Sequence, residues 1–151
     1  MKGVYCLVLQ TQACEIEVGR LGLVRFRAGY HIYVGSALGP GGLEGRVGRH
    51  FRLAKTREGR PHWHIDRLLL SPDVTLVGAV LGETEGDFEC RLAASIGGDA
   101  VPGFGCTDCS CHSHLFFRSE EPFAGIEAAF RRVGLVPRIR KTNMGEDDVS
   151  V

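Results

Sequence analysis

The sequence predicts one α+β domain, a small and mostly antiparallel sheet with helices packed against it. Residues 3–9 (GVYCLVL) and 74–81 (VTLVGAVL) are apolar on both faces, the pattern of inner strands. Residues 30–34 (YHIYV) are rich in β-branched and aromatic side chains and run into a loop at Gly39-Pro40-Gly41-Gly42. Beyond that loop the period changes: Leu43, Val47, Phe51 and Ala54 recur on one helix face.

The other elements follow in order. Residues 14–18 and 23–27 alternate and are split by Gly19 and Gly22, which predicts a hairpin leading into the strand at 30–34. A helix over 43–55 gives way to a basic loop through Gly59-Arg60-Pro61. His62-Trp63-His64-Ile65-Asp66 opens a short apolar segment that ends at Leu70. Thr84 and Asp87 have the spacing of a capping box, which predicts a helix over 88–96 stopped by Gly97-Gly98. The glycine- and cysteine-rich stretch 101–117 turns strand-like at 114–117, and 126–133 predicts a short amphipathic helix. The expected organisation is a single domain over 1–141, with three core strands, and a flexible acidic tail over 142–151.

With 44% hydrophobic and 24% charged residues among 151, the composition is that of an ordinary globular domain. Gln10 and Gln12 end the N-terminal apolar run too early for a signal peptide or a membrane span, so a cytoplasmic location is the expectation. Six cysteines in that setting argue for reduced thiols or metal ligands rather than a disulfide scaffold. The net charge of zero conceals a basic run, Arg46, Arg49, Arg52, Lys55, Arg57, Arg60 and Arg67, opposed only by Glu58 and Asp66. Arg131, Arg132, Arg138, Arg140 and Lys141 form a second cluster. Such patches meet phosphates, or they are simply solvated helix faces.

Three features point to chemistry. Glu89 projects into the apolar stripe of Phe88, Leu92, Ala93 and Ile96, where a carboxylate needs an ion pair, a hydrogen bond or a cation. Arg46 and His50 lie side by side at i and i+4 along the border of their helix's apolar stripe, with Arg49 and Arg52 pointing further outward. Cys106, Cys109, Cys111 and His114 supply enough soft ligands for tetrahedral zinc, with Cys90 or Cys6 able to join; the alternative is cysteines that merely pack.

Gly3-Val4-Tyr5 followed by Tyr33-Val34-Gly35 resembles the paired motif of the GIY-YIG nuclease superfamily. Arg46 and His50 on the next helix and Glu89 at the start of a later one continue the pattern in order. GYHIYVGSALGPGGLEGRVGRH, PHWHID and GFGCTDCSCHSHLF resemble its small stand-alone, Uri-type branch, over residues 3–117. The resemblance implies a three-stranded antiparallel sheet flanked by helices, one divalent-metal site, and DNA as partner in repair or processing, with RNA left open. It also implies that specificity comes from a protein partner or from DNA structure, since little chain remains for a sequence-reading module. Two departures stand out: Leu38–Gly42 lengthens the loop before Arg46, and the region after the Glu89 helix, Gly103-Phe104-Gly105-Cys106, holds no asparagine, so that role is absent or filled by another group such as Asp108 or Ser113.

These residues suit phosphodiester hydrolysis. Mg2+ or Mn2+ on Glu89 would supply a Lewis acid. Arg46 would fork onto a phosphoryl oxygen. Tyr5 or Tyr33, coupled to His50, would take the proton of the attacking water, with Arg46 and the metal lowering the tyrosine's pKa. Arg49, Arg52, Lys55 and Arg60 would hold the nucleic-acid backbone. The rival expectation is a non-catalytic binding module that uses the same basic cleft, for which an inward carboxylate has no purpose unless it holds a metal.

Overall fold

The computed structural model describes residues 1–105 and 111–142. Cys106, Asp108, Cys109 and the acidic tail after residue 142 therefore lie outside the described residues.

Among the described residues, seven strands and four α-helices follow one another as β1 (Gly3–Thr11), β2 (Cys14–Glu17), β3 (Leu23–Phe26), β4 (Gly29–Ala37), α1 (Gly42–Thr56), α2 (His64–Leu69), β5 (Val74–Glu83), α3 (Glu89–Ile96), β6 (Leu115–Arg118), α4 (Phe123–Arg132) and β7 (Arg138–Lys141). Five strands make one antiparallel sheet in the order β6-β4-β1-β5-β7, and β2 and β3 pair as the expected hairpin. The predicted three-stranded core is the centre of this sheet, β4-β1-β5. The fold is α+β.

Burial on both faces explains why β1 lacks alternation. Tyr5, Leu7 and Leu9 face a core shared with α1, α2 and the hairpin, whereas Val4, Cys6 and Val8 face a core shared with α3 and α4. Each face of the central strand thus meets a helical layer, and a strand buried on both sides must be apolar throughout.

One element was not anticipated and one expectation needs correction. Strand β7 forms within the second basic cluster, because an edge strand needs only one face covered and charge protects its free edge. Its four residues are all exposed; Arg140 lies over the Phe51 ring and Lys141 over Phe123, so their stems cover apolar surface on opposite faces. The capping box before α3 does not form. Thr84 Oγ1 instead accepts the Gly86 N–H at 3.1 Å, and Phe88 occupies the cap position with no side-chain bond.

Candidate active site

The strand register sets the two tyrosines. In the β1–β4 ladder Tyr5 pairs with Gly35 and Leu7 with Tyr33, so the tyrosines are diagonal neighbours on one face, ring centroids 6.4 Å apart. Gly35 is where this arrangement needs a missing side chain. A methyl there would sit 2.5 Å from Tyr5 Oη, 2.6 Å from its Cζ and 3.1 Å from Tyr33 Cε2. Gly35→Ala is accordingly expected to displace Tyr5 and lower stability by about 1–3 kcal/mol. Gly48→Ala, in α1 with open space around it, should raise stability by roughly 0.5–1 kcal/mol. Denaturant midpoints of the two variants check both signs.

Below the tyrosines, α1 contributes His50 and Arg46. His50 is 1% exposed, and its Nε2 is hydrogen-bonded to the Tyr5 hydroxyl at 2.7 Å. Among the described residues, His50 Nδ1 is buried with no hydrogen-bond partner. Arg46 is half-buried, donates from Nη1 to the Ser36 carbonyl at 3.1 Å and lies 4.5 Å from the Trp63 ring centroid. Glu89 enters from the first turn of α3, where its side chain is 24% exposed. Ser36 Oγ donates to its Oε1 at 3.3 Å, and His114 Nδ1 lies 3.2 Å from its Oε2.

Tyr5, Tyr33, Arg46, His50 and Glu89 therefore line one pocket of about 310 Å³. All five candidate catalytic residues meet there. Among the further lining residues, Ser36, Leu38, Trp63 and Asp87 have no place in the nuclease pattern, and Cys90 and His114 entered the sequence reading only as zinc candidates. Gly105 also lines the pocket, and its N–H donates to His64 Nδ1 at 2.8 Å, which places His64 behind the lining. His62 packs edge-on against Trp63, centroids 4.6 Å apart. Ser113 does not stand in for the missing asparagine, since its hydroxyl donates to the carbonyls of Val101 and Leu115.

Arg49 departs from its expected outward position. It forks onto Asp66 with two bonds of 3.0 Å, and the Asp66 side chain is 0% exposed. Asp66 also accepts the N–H groups of His62 and Trp63, at 2.7 and 3.0 Å. Burial pushes its carboxyl up, but the Arg49 fork and these backbone bonds outweigh it and leave the pKa below its ordinary value. Arg49 is thereby held in the wall, 4.7 Å from the Trp63 ring centroid, rather than presented to a phosphate. Arg52, Lys55 and Arg60 are exposed.

Burial also dominates the titration of the site. It raises the Tyr5 hydroxyl well above its ordinary value, and the charge and hydrogen bond of Arg46 oppose without overcoming it. Tyr33 is raised for the same reason. Arg46 acts in the expected direction but does not overcome burial, and both hydroxyls keep their protons at neutral pH. Burial lowers His50 to about 3 and His31, bonded through Nδ1 to Thr11 Oγ1 at 3.0 Å, to about 4.

Both imidazoles stay neutral in the folded chain while the unfolded chain protonates them near pH 6.5. Their contribution is present above that pH and is lost as the pH falls. Each removes up to about 1.4 kcal/mol per pH unit between roughly 6.5 and its folded value. Chemical denaturation at pH 7.5, 6 and 5 should show unfolding free energy dropping with pH; a flat profile would contradict the buried neutral histidines.

For a divalent cation, Glu89 and Ser36 offer hard oxygen donors beside open volume for several waters, which suits an ion that keeps most of its hydration shell. Softer groups lie beside Glu89 on the same wall. Cys90 and Cys111 are joined in a disulfide with Cα atoms 5.9 Å apart, contrary to the expectation of reduced thiols; Cys6 and Cys14 are free. A constant Cα separation in the 4.4–6.8 Å range is ordinary for such a bond.

Compared with known families, residues 4–135 match the model described as domain of unknown function DUF123. The chain belongs to that family. Its match spans every element that lines the pocket, from β1 to β6, and ends just beyond α4. No curated protein and no solved structure matches the chain. Among the described residues no helix is long and apolar enough to cross a membrane.

Proposed function

We propose that this DUF123 member is a divalent-metal-dependent endonuclease of GIY-YIG type that hydrolyses DNA phosphodiesters, in repair or processing in the cytoplasm. The observation that carries the reading is the meeting of Tyr5, Tyr33, Arg46, His50 and Glu89 in one pocket, from β1, β4, α1 and α3. A nucleic-acid binder would need the cations but not the carboxylate facing them.

Glu89, helped by Ser36, would hold Mg2+ or Mn2+, which when bound supplies a Lewis acid for the phosphoryl oxygens and lowers the pKa of water. Arg46 keeps guanidinium donors beyond those given to Ser36 and the Tyr5 hydroxyl and is braced by Trp63, so it can meet a non-bridging oxygen without first being ordered. Tyr5 accepts the proton of the attacking water while its own passes to His50 Nε2, 2.7 Å away. The neutral imidazole makes that transfer available at physiological pH. The direct bond favours Tyr5 over Tyr33 as the proton acceptor. Exposed Arg52, Lys55 and Arg60 hold the backbone of the substrate, so binding weakens with salt.

Arg46→Ala tests this assignment. Turnover should fall by about 10²-fold or more while DNA affinity changes only a few-fold, the signature of a contact made in the transition state. Equal losses of both in steady-state kinetics would reduce Arg46 to a phosphate anchor.

A further inference from the structure

We propose that Cys90, Cys111 and His114 form a Zn2+ site in the pocket wall, filled once the Cys90–Cys111 disulfide is reduced. The ligand atoms of the three residues lie within 4.8 Å of one another. Tetrahedral zinc places two thiolate sulfurs roughly 3.8 Å apart and a sulfur and an imidazole nitrogen roughly 3.6 Å apart, from Zn–S near 2.3 Å and Zn–N near 2.0 Å. His114 Nε2 already stands 3.9 Å from Cys90 Sγ, so only a few tenths of an ångström separate the pair from that geometry. The two sulfurs part by rotation of their side chains.

The second observation is the other face of the same imidazole. His114 Nδ1 lies 3.2 Å from Glu89 Oε2, the carboxylate–histidine relation that orients zinc-binding histidines and directs the Nε2 lone pair at the metal. His114 is 2% exposed, and its backbone is fixed on both sides: its N–H donates to the Phe104 carbonyl and its carbonyl accepts the Val34 N–H, each at 2.9 Å. The histidine is thus preorganised. Two thiolates neutralise the ion.

The chemistry balances. A dithiol reductant gives two electrons and two protons to the disulfide and becomes a disulfide itself. Zinc then displaces the two thiol protons to solvent, and one coordination position remains for water. Occupied, the site ties the first turn of α3 to the segment before β6 and holds His114 against Glu89.

The site is tested without DNA, so its failure is separate from failure of the nuclease reading. The full chain, purified in a thiol reductant and without chelator, should carry about one zinc per molecule by elemental analysis. Replacing that zinc with Co2+ should give thiolate-to-cobalt charge-transfer absorption and the visible bands of tetrahedral coordination. The double variant Cys90→Ser with Cys111→Ser should lose both signals, and His114→Ala should lower the affinity for Co2+ by ten-fold or more. A wild-type chain whose thiol titration shows both cysteines reduced, yet which binds neither metal, overturns the proposal. So does unchanged metal content in the double variant.

Discussion

Glu89→Ala is expected to abolish metal-dependent DNA cleavage, a loss of at least about 10²–10³-fold, while DNA binding stays intact or tightens. The first effect follows from removing the carboxylate that would hold the cation opposite Arg46. The second follows from charge: the pocket loses its nearest negative group, and a phosphate then meets Arg46 with less opposition. Cleavage falls while binding does not, a combination that unfolding cannot mimic. A circular dichroism spectrum unchanged from wild type accompanies the assay, since Glu89 also meets Ser36 and His114. Retained cleavage would remove Glu89 from the site; parallel loss of cleavage and binding would make it a structural residue.

Asp66→Ala is expected to lower stability by about 3 kcal/mol. The carboxylate is buried, receives the Arg49 fork and closes the first turn of α2 through the N–H groups of His62 and Trp63. Removing one member of a buried pair leaves the other uncompensated, which typically costs about 3–5 kcal/mol. Arg49 is 26% exposed and recovers some hydration, which places the expectation at the lower end. The change also frees Trp63, on which Arg46 rests, so catalytic turnover should fall with stability. Equilibrium denaturation measures the first effect. A loss below about 1 kcal/mol would mean the pair behaves like an exposed one.

The central strands were legible in the sequence because burial on both faces of β1 and β5 demands an apolar run, a demand that local sequence expresses directly. Helix α1 was legible through its single apolar face. Strand β7 was not, since RIRK at a sheet edge has charge on both faces and only Ile139 to mark a pleat; its partner β5 lies far away in sequence. The same contrast holds in the pocket. Tyr5, Tyr33, Arg46, His50 and Glu89 were found because each carries a motif position. Ser36 was missed although it follows Gly35 directly, because a serine at the end of a strand carries no distinctive pattern. His114 was legible as a metal ligand but not as a neighbour of Glu89, a contact set by β6 pairing with β4. Arg49 was misplaced for a similar reason: helical periodicity turns it outward, and only the packing of α2 brings a buried Asp66 to meet it.

The most direct measurement is incubation of the purified full chain with branched, nicked and plain duplex DNA, with and without added Mg2+ or Mn2+, at low and moderate salt. The account predicts cleavage only when the cation is present, on at least one substrate, with binding that weakens as salt rises. Salt-sensitive binding with no cleavage of any substrate under any of these conditions would contradict it and make the pocket that of a binding module.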